Sequence, residues 1–194
     1  MTEIIPINHL ADPSGGVSDN DASPVPGDAL GGVVAIGNFD GVHLGHAALL
    51  RQAKHRADEL GGPAVAVVLD PHPAAILRPD NVPAKLTWIE RRAELMDPLG
   101  IHALVVCRTS PEFLRLTAQE FFDALVVRGL SARGMVEGPN FFFGRDRGGN
   151  IEVLRDLCQA NQMQLEIVQP TIVGDEMISS TRIRNLLADG QIRE

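Results

Sequence analysis

The chain has 194 residues, 44% of them hydrophobic and 22% charged, which excludes a disordered, collagenous or fibrous protein. It fits one domain with room for a small appendage, able to bury about 70% of its unfolded surface. Twenty-five acidic residues against 17 basic ones give a net charge of −8, which argues against nonspecific binding to nucleic acid or an anionic membrane, so that polyanions would have to be held by local devices. Lys54 and Lys85 are the only lysines. The arginine excess suits bidentate contact with carboxylate or phosphate, and a GC-rich genome accounts for it equally well. Cys107 and Cys158 lack metal-ligand spacing, and neither a signal peptide nor an apolar run of about 18 residues is present, so a cytoplasmic protein is expected.

In chain order, Glu3–Ile7 is a short apolar strand, and Ala11–Gly32, rich in Asp, Gly, Ser and Pro, reads as a mobile loop. Residues 1–31 are thus expected to precede the main domain of 32–190. From there β-branched runs alternate with helical patterns: Val33–Ile36, Ala64–Leu69 and Ala103–Cys107 are apolar on both faces, the mark of buried parallel strands. Leu49, Leu50, Ala53, Ala57 and Leu60 share a helix face that Gly61-Gly62 ends. Further helices are predicted over 87–97, 117–127 and 150–161, with short strands near Met135-Val136 and Leu165–Val168. The alternation predicts an open, doubly wound α/β sheet.

The first strand runs directly into Gly37-Asn38-Phe39-Asp40-Gly41-Val42-His43-Leu44-Gly45-His46. A strand-to-helix loop is where open α/β sheets bind ligands, and glycines beside a helix N-terminus suit phosphate. The loop is neither G-x-G-x-x-G nor a Walker sequence, which removes the main support for hydride transfer or a P-loop. In the lysine's place stand His43 and His46, three apart and able to point to one side. An imidazole of ordinary pKa protonates readily beside polyphosphate. A capping role or half of a metal site is the bland alternative. Near the end, Ile178-Ser179-Ser180-Thr181-Arg182-Ile183-Arg184 opens another helix with hydroxyls at its cap, although an ordinary capped helix reads the same way. Asp70-Pro71-His72-Pro73 leaves the second strand at the same edge. In Glu137–Gly149, Phe141, Phe142 and Phe143 cannot all face the core, so a ligand ring could cover one of them; a small satellite cluster is equally consistent.

Together these strings resemble the FMN adenylyltransferase domain of bacterial FAD synthetases, in the nucleotidyltransferase superfamily with its H-x-G-H and S-S-T-x-x-R motifs. The resemblance covers about residues 32–190 and implies a Rossmann-like doubly wound parallel sheet. Leu69 stands where the family usually has Phe, and Glu137 and Phe142 depart from its V-G-x-N/D-F-x-F-G. The implied reaction is ATP plus FMN giving FAD and pyrophosphate, with Mg²⁺ arriving on ATP and no metal site in the protein. His43, His46, Asn140 and Arg184 would be catalytic. Gly37, Asn38, Phe39, Asp40, Gly45, Ser180 and Thr181 would bind ATP, and Pro71, His72, Phe141 and Phe143 would bind FMN; Asp40 and Asp70 are candidate water-mediated metal partners, a capping or loop role being equally consistent for each. The riboflavin kinase domain with its P-T-A-N string is not found in these residues, so a separate riboflavin kinase is the partner expected to supply FMN. Alternatives are a nucleotidyltransferase acting on nicotinamide mononucleotide, phosphopantetheine or glycerol phosphate, and an inert flavin-nucleotide binding module.

Overall fold

The computed structural model describes residues 1–7 and 25–191. Its centre is a six-stranded parallel sheet, ordered β1-β4-β3-β2-β5-β6. The strands are β1 (Glu3–Ile7), β2 (Val33–Ile36), β3 (Ala64–Asp70), β4 (Ala103–Arg108), β5 (Gly134–Glu137) and β6 (Gln164–Ile167). From β2 the chain steps outward through β3 and β4, then returns to the other side of β2 for β5 and β6. The switch point of a doubly wound sheet therefore lies between β2 and β5, where such sheets bind ligands at the carboxyl ends of their strands. The expected α/β architecture is present, and β1 joins the same sheet as an edge strand, Ile5 opposite Val105 of β4.

Both faces are covered because the strand residues are apolar in both parities. Val33, Ala35, Ala64, Ala66 and Val68 pack against Leu50, Ala53 and Ala57 of α1 (Leu44–Leu60) and Ala93 and Met96 of α3 (Ile89–Met96). Val34, Ile36, Val65, Val67 and Val105 pack on the opposite side. Their partners are α4 (Ala118–Phe121), its π-helical continuation Phe122–Gly129, and α5 (Ile151–Ala160). Alanines on both β2 and β3 let α1 lie close to the sheet. A short α2 (Pro73–Leu77) and the hairpin of β7 (Ile172–Val173) and β8 (Glu176–Met177) were not expected; they precede and follow loops that shape the site, and α6 (Ser180–Ala188) follows the hairpin.

Most of the loop expected over Ala11–Gly32 lies outside the described residues. Its final part packs on the core, with Val25 and Ala29 buried, because the two apolar side chains fall where the chain turns back toward β2. Among the described residues no helix is long and apolar enough to cross a membrane.

Gly32 illustrates how tightly β2 enters the sheet. A Cβ there would lie 1.8 Å from the Pro63 carbonyl oxygen, the atom that accepts the Val33 N–H. Gly32→Ala is expected to cost about 2–3 kcal/mol, the upper range for overpacking, read as a lower urea midpoint. An unchanged midpoint would mean that β2 and β3 part freely.

Candidate active site

The loop after β2 turns sharply enough to place Phe39 and Val42 at positive φ (47° and 37°), conformations costly for non-glycine residues and typical of functional loops. Phe39 turns inward and is buried beneath the loop. His43 then caps α1: its Nδ1 accepts the His46 backbone N–H at 3.3 Å, which leaves the proton on Nε2. The two imidazoles stack 3.6 Å apart, as three-residue spacing at a helix start allows, with the Phe39 ring at the edge of His46. At Gly45 a Cβ would come within 3.3 Å of the His43 ring, a tight contact that would press on the stacked pair.

Burial lowers both histidines. His46 is taken to about 3, with His43 and Arg92 adding to the effect and Asp40 opposing it. The His46 Nδ1 is buried without a hydrogen-bond partner among the described residues. Both rings are therefore neutral at pH 7 in the free protein, and the ready protonation expected of an ordinary imidazole requires a bound anion to reverse the desolvation.

Asp40 is the hub of the loop. Its carboxylate accepts from the N–H groups of Leu86 and Thr87, the Thr87 hydroxyl, Arg92 at 3.1 Å and Arg184 at 2.6 Å. Burial alone would raise its pKa, but these donors outweigh it and bring it to about 2. Arg184 also donates to the Ala84 carbonyl, and Ser180 donates to the Asp40 carbonyl at 2.9 Å. The two terminal sequence motifs are thus physically joined. Ser179 caps α6 by accepting the Arg182 N–H. The Asp40 oxygens are engaged by these donors, and Asp70 pairs with Lys85 at 3.2 Å. The one three-ligand group among the described residues, Glu3, Asp28 and His102, is exposed at the amino ends of β1 and β4, away from this edge.

Two cavities open at the carboxyl edge and share the wall formed by Ile36, Gly37, Asn140 and Phe141. The larger, about 710 Å³, is bounded by Leu69, Pro73, Leu77, Phe113, Phe121 and the three phenylalanines. Phe143 is buried and stacks on Phe141, their centroids 5.3 Å apart, whereas Phe142 is 44% exposed under the Arg147 guanidinium. The smaller, about 320 Å³, is bounded by His43, Gly45, His46, Glu137, Gln169–Thr171 and Ile178–Ser180.

Of the residues singled out by sequence, Gly37, Phe39, His43, Gly45, His46 and Ser180 line the smaller cavity. Asn38 lines the larger one, as do Phe141 and Phe143. Thr181 is exposed at the start of α6, and Thr181 and Arg184 are not among the residues lining either cavity. Nor are Pro71 and His72, where Pro73 and Leu77 take the wall. His72 instead braces Asn38: its Nδ1 accepts the Ala74 N–H, and its Nε2 lies 2.8 Å from the Asn38 side-chain amide nitrogen.

Sequence reading missed Glu137 as a wall residue, Arg92 and the Gln169–Met177 segment. Gly174-Asp175 between short apolar pairs was the available hairpin signal. Glu137 is 2% exposed and its Oε1 accepts the Ile36 N–H at 2.7 Å. Burial holds its carboxyl protonated well above the usual range, the Ile36 bond opposing this weakly. Because the unfolded chain ionises near the ordinary value while the folded one stays neutral, this group's contribution falls as pH rises between the two pKa values. Glu137→Gln, which cannot ionise, is expected to gain stability over the parent protein progressively from pH 5 to pH 8. Urea midpoints at several pH values test this, and a pH-independent gap would refute it.

A family model for FAD synthetase matches residues 26–182. The chain belongs to the FAD synthetase family. Among curated members it is 35% identical over 158 residues to the bifunctional riboflavin kinase/FMN adenylyltransferase of Pseudomonas fluorescens, covering 81% of this chain and 50% of that one. It is 32% identical over 162 residues to the enzyme of that name in Escherichia coli K12, covering 84% and 52%. The chain thus spans about half the length of these relatives. A crystal structure from Streptococcus pneumoniae, described as a macrolide-efflux protein, superposes with a TM-score of 0.77 at 28% identity over 98% of this chain and 67% of that one. Within the FAD synthetase family, the His-x-Gly-His loop and the Ser-Ser-Thr helix of this member meet at Asp40.

Proposed function

We propose that this protein is an FMN adenylyltransferase, joining AMP from ATP to FMN to give FAD and pyrophosphate. The carrying observation is the pair of cavities with one shared wall, one aromatic and large enough for a tricyclic ring, the other faced by two histidines and a helix start. Family membership supports the same reading. FMN occupies the larger cavity with its ring against Phe141 and Phe143, and ATP occupies the smaller. Pro71 and His72 act on the flavin side by holding the loop that carries Asn38.

The FMN phosphate, already ionised at neutral pH, attacks the α-phosphorus in line. A new P–O–P bond forms and the bond to the β-phosphate breaks, so no general base is required, and positioning with charge neutralisation does the work. His43 donates from Nε2 and His46 from the adjacent ring toward the α- and β-phosphates. Asn140, on the shared wall, orients the reacting phosphates. Ser180, Thr181 and Arg184 receive the departing pyrophosphate, Arg184 exchanging its Asp40 contact for phosphate oxygen. Gly37, Phe39 and Gly45 shape the nucleotide side and Asp40 fixes it. Mg²⁺ enters with ATP as part of the substrate. We infer a cytoplasmic protein that works beside a riboflavin kinase activity supplying FMN.

Incubation with FMN, ATP and Mg²⁺ should yield FAD and pyrophosphate in equal amounts, with riboflavin, nicotinamide mononucleotide, phosphopantetheine and glycerol phosphate turned over poorly. FMN binding without FAD formation would favour an inert flavin-nucleotide module.

A further inference from the structure

In a parallel sheet each strand's N–H groups are taken by its neighbours, and an orphaned one is costly. β5 stays paired with β6 through Glu137 opposite Ile167, but its pairing with β2 covers only Val33 opposite Gly134 and Val34 opposite Met135. Beyond Val34 the two strands part, and this parting opens the crevice. The Ile36 N–H, facing the gap, is taken by the Glu137 side chain at 2.7 Å. One residue later the Gly37 N–H is fixed from the other side by the Val67 carbonyl of β3 at 3.0 Å. Gly37 belongs to the wall between the two cavities, and Glu137 itself lines the smaller one.

We propose that Glu137 is a positioning residue of the transfer site: its carboxyl stands in for the missing strand-to-strand bond and fixes the height of Gly37 between the two substrates. The carboxyl group acts through the Ile36 amide, without touching the reacting atoms. Glutamine has the same reach and an oxygen that accepts the same N–H. Methionine fills similar volume and offers only a weakly accepting sulfur in place of the oxygen. A core role satisfied by packing alone would treat the two variants alike, whereas a positioning role separates them. The proposal rests on the adenylyltransferase reading above.

The test compares the parent protein with Glu137→Gln and Glu137→Met in two readouts: amide hydrogen exchange at Ile36 and Gly37, and the steady-state kinetics of FAD formation. Glu137→Met should lose Ile36 protection by about tenfold and lower kcat by about tenfold, the scale of one unsatisfied buried donor. Its KM for FMN should change less than threefold. Glu137→Gln should restore both protection and kcat. Protection lost with kcat unchanged would overturn the proposal, as would kcat lost with protection intact, or equal behaviour of the two variants. A parent protein that forms no FAD would instead overturn the function reading. Should the methionine variant fail to fold, Glu137→Leu takes its place under the same criteria.

Discussion

Replacing His46 with alanine is expected to lower FAD formation by about 10²-fold or more, the loss seen when one preorganised charge stabiliser is removed. His46 presents a neutral ring to the smaller cavity, pressed against His43 and Phe39, and burial has stripped it of water. A group desolvated in advance gains most when charge develops on the phosphates beside it. His43 caps α1 through the His46 backbone N–H, which alanine retains, so the helix start survives and the loss should fall on kcat more than on the KM for FMN. Steady-state kinetics on the folded variant decide the matter. Turnover within a few-fold of the parent protein would remove His46 from the transfer step.

Asp40→Ala is expected to be the most destabilising single change at this edge, costing about 3–5 kcal/mol, the penalty for breaking one side of a buried ion pair. Asp40 and Arg92 are both more than 90% buried, and loss of the carboxylate leaves the guanidinium without its counter-charge, held only by the Asn38 and Thr87 oxygens, and strands the Leu86 and Thr87 N–H groups. It also removes the contact that positions Arg184 and loosens the loop that carries His43 and His46, so whatever protein remains folded should bind ATP less tightly. The pH dependence has the opposite sign to that of Glu137. A carboxylate depressed to about 2 contributes stability that is fully present above its unfolded value near 3.8 and is lost as pH falls through 2. Asp40→Asn should therefore be least different from the parent protein in strong acid. Urea unfolding at pH 7 and pH 3 measures both effects, and a cost below about 1 kcal/mol at pH 7 would show that the hub is dispensable.

The strands were legible because a parallel sheet covered on both faces demands apolar residues in both parities. Val33–Ile36 was read to the residue, and Ala64–Asp70 and Ala103–Arg108 to within one. The π-helical stretch was not legible, since a wider turn leaves the apolar pattern of Phe122–Gly129 nearly helical. At the site, His43, His46 and Ser180 were readable because helix starts advertise themselves through glycine and capping residues. Arg92 was not, because an arginine on an amphipathic helix ordinarily faces solvent, and only the tertiary approach of Asp40 makes it a buried partner. Glu137 registered in the sequence as a departure at an apolar position. Its role depends on two strands parting after Val34, a feature of pairing that no local pattern encodes. One of the three consecutive phenylalanines was expected to face away from the core without its being named, and it is Phe142 that lies exposed beneath Arg147.

The most direct measurement follows the α-phosphorus. With ATP labelled at that atom, FMN and Mg²⁺, the label should appear in FAD in step with unlabelled pyrophosphate, one for one, and none should remain on the protein. Release of the label as AMP, its retention on a histidine, or its failure to reach FMN would contradict direct transfer across the wall of Gly37 and Asn140.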